Sequence, residues 1–138
     1  MTTTLQLELV TPEALMMSEA VGMAVIPGVE GDMGIMADHA PTVSTLRPGL
    51  VSVHDDVNSA ATRYIFVSGG VAEVTGQRCI ILAEEAAELD EIDRAKADAR
   101  LTEALAAVEA ASSEGELARA EAGLSIAQAQ VDVLTQHS

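Results

Sequence analysis

The chain has 138 residues, 49% of them apolar, and a net charge of −15 from 22 acids and 7 bases. That length suits one globular unit, or one unit with an appendage. The acidic excess argues against nucleic acid, which needs clustered Lys and Arg, and against direct docking on anionic lipid, leaving partners that are basic or of mixed charge.

The amino-terminal stretch MTTTLQLELV has neither a basic region nor a long apolar run, so no secretory leader or Arg-rich transit peptide is expected there. No apolar run approaches the roughly 18 residues that span a bilayer. Leu5, Leu7 and Leu9 alternate with Gln6 and Glu8, the period of a half-buried strand. Val21, Met23 and Val25 alternate in the same way, as do Val51 and Val53 with Ser52 and His54. The runs TRYIFVS, VAEVT and RCIILA follow. Turn signals fall at Thr11-Pro12, Pro27-Gly28, Pro48-Gly49, Asp55-Asp56, Gly69-Gly70 and Gly76. Short strands at this spacing predict an all-β sandwich or barrel. Aromatics are limited to Tyr64 and Phe66, so its core must be aliphatic, and Cys79 reads as a buried core thiol.

The segment Pro27–Pro41, PGVEGDMGIMADHAP, stands out within that β region. Gly28, Gly31 and Gly34 can take conformations closed to other residues, and Pro27 and Pro41 fix the backbone at its ends. The mixture predicts a shaped loop rather than a long strand, and such loops on a rigid scaffold usually carry contacts.

Composition shifts near residue 86. All four prolines and eight of the ten glycines precede it, and fifteen alanines lie from there onward. We divide the chain into a β domain, residues 1–86, and a two-helix hairpin, residues 87–138. The first helix is expected to start at an Asp90 N-cap, with Ala97, Leu101, Ala104, Val108 and Ala111 along one stripe. Ser113 and Glu116 form a capping box for the second, whose stripe is Leu117, Ala120, Leu124, Ala127, Val131 and Leu134.

Candidate chemistry is sparse. Asp32, Asp38 and His39 match no metal-site spacing, and no acid sits in an apolar run where burial would raise its pKa. His54 and His137 have no partner nearby in sequence. Ser68-Gly69-Gly70 belongs to neither a nucleophile elbow nor a phosphate loop and reads as a turn. The residues therefore point to a non-catalytic adapter with no metal and no cofactor. Two rivals remain at this stage: a free-standing regulator binding a small anion such as ATP, and an enzyme on a small sandwich.

The segments LELVTPEAL, PGVEGDMGIMADHAPTVSTLRPG, VSGGVAEV and ELDEIDRAKADAR together resemble the ε subunit of bacterial F-type ATP synthases, equivalent to the mitochondrial δ subunit. The resemblance implies a ten-stranded β-sandwich followed by an antiparallel helical hairpin. It implies a rotor subunit at the cytoplasmic face of the bacterial inner membrane, touching the membrane only through partners. Those partners would be the γ subunit, the c-ring of the membrane sector and, for a braking hairpin, the catalytic α and β subunits. It places Asp32 and His39 at the contact with the c-ring or γ. Some members bind ATP through a motif [IL]DxxRA. Read from Leu89-Asp90, the present sequence has one residue too many before Arg94, so no nucleotide-binding residue is assigned. From residue 86 onward there are 11 acids and 4 bases, a net of −7, which predicts weak gripping of acidic catalytic subunits.

Overall fold

The computed structural model describes residues 4–137. The first three residues, part of the stretch read for a leader, and Ser138 lie outside the described residues. The chain divides into two compact units, Met1–Glu88 and Leu89–Ser138.

The first unit consists of strands β1 (Leu5–Val10), β2 (Leu15–Val21), β3 (Met23–Gly28), β4 (Gly31–Ile35), β5 (His39–Leu46), β6 (Gly49–His54), β7 (Ala61–Val67), β8 (Gly70–Gly76), β9 (Arg78–Leu82) and β10 (Ala86–Glu88). They pair in the order β10-β7-β6-β3-β5-β8-β9-β1-β2, with β4 on the other edge of β3. The single pair Gly28–Leu46 joins β3 to β5 and turns the path from one layer into the next. One layer is β10-β7-β6-β3-β4 and the other β5-β8-β9-β1-β2. All neighbours are antiparallel except β1 and β9. Leu5, Leu7 and Leu9 do point inward, joining Ile26, Ile35, Val51, Ile65, Val74 and Ile81 in one aliphatic core cluster, and Phe66 is also fully buried. This is the expected β-sandwich. Cys79 is fully buried within it, and burial pushes its thiol up to about 11.

Three local expectations of the β domain change. Ala86–Glu88 pairs with β7, so the first unit ends at Glu88 rather than at residue 86. Val21, Met23 and Val25 do not share a strand face. Gly22 separates β2 from β3 because a Cβ there would lie 2.3 Å from the Asp55 carbonyl oxygen, and β3 buries Ala24 and Ile26 instead. β2 itself carried no clear alternation, since Leu15 and Met16 face solvent.

The third concerns Pro27–Pro41, which is mostly strand. Pro27 sits inside β3, and the Pro27-Gly28 turn is displaced to Val29-Glu30. The ring is tolerated because β3 changes partner there, from β6 to β5, while the Pro27 carbonyl accepts from the Arg47 amide at 2.8 Å. Pro41 falls in a bulge of β5, where Ala40 and Pro41 together oppose Thr75. Of the three glycines, only Gly31 has a left-handed φ, 137°. Gly28 serves close approach, since a Cβ would meet the Gly31 carbonyl oxygen at 2.7 Å, and Gly34 faces no such constraint.

The second unit holds a 3-10 turn at Leu89–Glu91, α1 (Arg94–Ala110) and α2 (Glu114–Gln136), which pack against each other. The stripes are enclosed only in part: Ala97 and Ala127 are buried, but Leu117 is exposed and Gln130, off the second stripe, is buried. The cap of α1 is Asp93, not Asp90, and its side chain accepts from the Lys96 amide at 3.1 Å. The turn at Leu89–Glu91 occupies the residues where the earlier start was expected. Ser113 caps α2 through the Glu116 amide, but Glu116 returns to Ser112 rather than to Ser113.

Candidate interaction surface

Asp32 and His39 lie at opposite ends of β5. Asp32 is the second residue of β4 and faces Pro27, close to the Gly28–Leu46 corner, whereas His39 begins β5 opposite Gly76. Seven residue steps separate those ends, roughly 23 Å. The structure therefore does not bring the two together. Asp32 is also already engaged: Arg47 donates to its Oδ1 at 2.6 Å and to the Gly28 carbonyl at 2.6 Å, tying the hairpin tip. The ring Nδ1 of His39 lies 2.8 Å from the Ala40 carbonyl oxygen. Asp38, with φ 64°, holds the turn before it by donating its amide to Gly76. Among the described residues no three His, Cys, Asp or Glu side chains gather as a metal site. His54 has partners after all, the Ser52 hydroxyl at 3.2 Å and the Ser59 carbonyl at 2.9 Å.

A second surface was not apparent in the sequence. Thr45, Val71, Leu82, Val10 and Leu15 are in register across β5, β8, β9, β1 and β2. They form one row on the outward side of that layer. Leu15 is 56% exposed, Leu82 53% and Val71 39%, and Val43, 69% exposed, stands one row away. Gly70 shapes this face, because its backbone passes so close to Leu82 that a Cβ would lie 2.0 Å from the Leu82 carbonyl oxygen. The result is an open hollow of about 410 Å³ between Val10, Pro12, Val71 and Leu82. The adjoining row is mixed, Val43 and Ile80 with Glu73, Glu8 and Ser18, and Arg78 donates to Glu8 at 2.6 Å. An apolar band of this kind on a small soluble unit marks a protein contact more often than a bare surface.

Residues 4–89 match the family model described as ATP synthase, Delta/Epsilon chain, beta-sandwich domain. The chain belongs to the ATP synthase delta/epsilon family. It is 45% identical over 129 residues to the ATP synthase epsilon chain of Rhodospirillum rubrum, covering 94% of this chain and 95% of that one. The epsilon chain of Rhodospirillum centenum is 41% identical over 133 residues, covering 94% and 91%. In the solved Euglena gracilis mitochondrial ATP synthase (OSCP/F1/c-ring, rotational state 1), a similar chain shows a TM-score of 0.80 at 29% identity, covering 96% and 82%. The present delta/epsilon chain is thus a subunit of a membrane-associated complex, and among its described residues no helix is long and apolar enough to cross a membrane.

The family's nucleotide motif can also be placed in a second register. Counted from Ile92-Asp93, its fifth position is Lys96 rather than arginine. Arg94 is the first residue of α1 and is held within the hairpin, donating to Asp98 at 3.3 Å and to Thr135 at 3.1 Å.

Proposed function

We propose that the chain is a non-catalytic rotor subunit of the ATP synthase central stalk. In this reading it clamps γ to the c-ring so that torque from proton flow reaches the catalytic subunits. The apolar row of Val71, Leu82, Val10 and Leu15 supports it most directly: it offers γ a continuous apolar strip across four of the five strands of one layer. The β3–β4 tip with Asp32, and separately His39, are the proposed contacts with the c-ring or γ. The complex would sit at the cytoplasmic face of the bacterial inner membrane, with the chain touching lipid only through its partners.

Magnitudes divide the work between these surfaces. Exposed ion pairs contribute ~0–1 kcal/mol each, and Asp32 already has Arg47. Affinity then comes mainly from the apolar row, while the acidic tip guides orientation. Membrane vesicles stripped of the chain and then reconstituted test this. The wild type should restore proton-coupled ATP synthesis, and the Asp32→Ala/His39→Ala form at least about half of it, since only weak exposed contacts are lost. Vesicles that couple equally well without the chain contradict the rotor reading.

The hairpin is proposed to be a weak brake. Its net charge of −7 over residues 86–138 opposes contact with acidic subunits, and one of its four bases, Arg94, is spent on Asp98 and Thr135. A chain truncated after Glu88 should leave ATP hydrolysis by the catalytic complex within about twofold of that with the full chain, because like charges disfavour the inhibitory contact. A several-fold rise on truncation would show a working brake.

A further inference from the structure

β10 and β2 are the two ends of the sheet path, and no strand pairing joins them. One side chain links them. Arg63, on β7, donates from Nη1 to Glu19 Oε1 on β2 at 2.6 Å and from Nη2 to Glu88 Oε1 on β10. Its side chain is 32% exposed, so water competes only in part. β10 is the shortest strand, paired to β7 at Ala86, Ala87 and Glu88. Its entry is pinned at Ser68, whose amide donates to the Glu85 carbonyl and whose hydroxyl accepts from the Glu85 amide. Its exit is pinned by the Arg63–Glu88 pair. The second unit begins at the next residue, Leu89.

We propose that Arg63 is a clasp that closes the open side of the sandwich and fixes Glu88 as the pivot from which the hairpin departs. With the clasp shut, the tether between units starts after Glu88. With it open, three more residues peel from β7 and lengthen the tether by roughly 10 Å. The clasp is thus a conformational device that limits the hairpin's reach, and it stands whether or not the rotor reading holds.

Hydrogen exchange on the full-length chain tests it. Arg63→Met should speed exchange of the Ala86–Glu88 amides at least tenfold and leave β1 and β9 unchanged. A charge-reversed clasp, Arg63→Glu with Glu88→Arg and Glu19→Gln, should restore most of the protection. The proposal is overturned if Arg63→Met leaves Ala86–Glu88 protected, if the increase spreads evenly over the core strands, or if the reversed clasp exchanges as fast as Arg63→Met.

Discussion

Leu82→Glu is expected to weaken association with γ on the order of 100-fold. Covering a half-exposed leucine gains ~2 kcal/mol, and a carboxylate stranded in the same apolar contact costs a further ~1–3 kcal/mol. A combined loss of ~3 kcal/mol corresponds to roughly two decades in Kd. The fold should tolerate the change, because Leu82 is 53% exposed and its neighbours Cys79 and Ile81 carry the inward side of β9. Val57→Glu is the control. Val57 is also an exposed apolar residue, 45%, but it lies between β6 and β7, away from the row. It should change affinity by no more than ~0.5 kcal/mol, the usual range for surface positions. Surface plasmon resonance with immobilised γ measures both. Equal losses for the two variants would mean that the row has no special part in the contact.

Gly70→Ala should have the largest effect on stability. Gly70 has φ 131°, a conformation L side chains rarely adopt, and an added Cβ would sit 2.0 Å from the Leu82 carbonyl oxygen. Backbone strain of ~1–3 kcal/mol and overpacking of a similar size add to about 3–5 kcal/mol. In a domain of this size that lowers Tm by roughly 15–25 °C. Gly34→Ala makes the contrast, because its nearest non-neighbour atom is the Met23 sulfur at 3.7 Å and its φ is ordinary. It should shift Tm by only a few degrees. Calorimetry on the two variants decides the matter, and a Gly70→Ala protein melting within about 5 °C of wild type, roughly 1 kcal/mol, would refute the steric argument.

Local rules were enough for some elements and not for others. The Leu5-Leu7-Leu9 alternation, the Ser113 cap and the enclosed Ala97 and Ala127 of the helical stripes each depend on residues a few positions apart, and each appears in the structure. Pro27 misled because its tolerance in a strand depends on where β3 exchanges β6 for β5, a tertiary fact. Asp90 and Asp93 are equally good caps by chemistry, and the turn at Leu89–Glu91 selects the second. The apolar row draws on β5, β8, β9, β1 and β2, strands far apart in the chain, so only long-range register assembles it. Arg63 likewise meets Glu19 and Glu88 from positions 44 and 25 residues away. Asp32 and His39 sit close in sequence, yet the turn between β4 and β5 sends them to different ends of the unit.

This acidic chain is proposed to ride on γ through the row containing Leu82. Affinity-tagged wild type and Leu82→Glu chains, each expressed in place of the native copy, can be drawn from detergent-solubilised membranes side by side. The account predicts that γ and the c-ring come away with the wild type and are largely lost from the Leu82→Glu chain. Recovery of γ in equal amounts with both chains, or with neither, would contradict it.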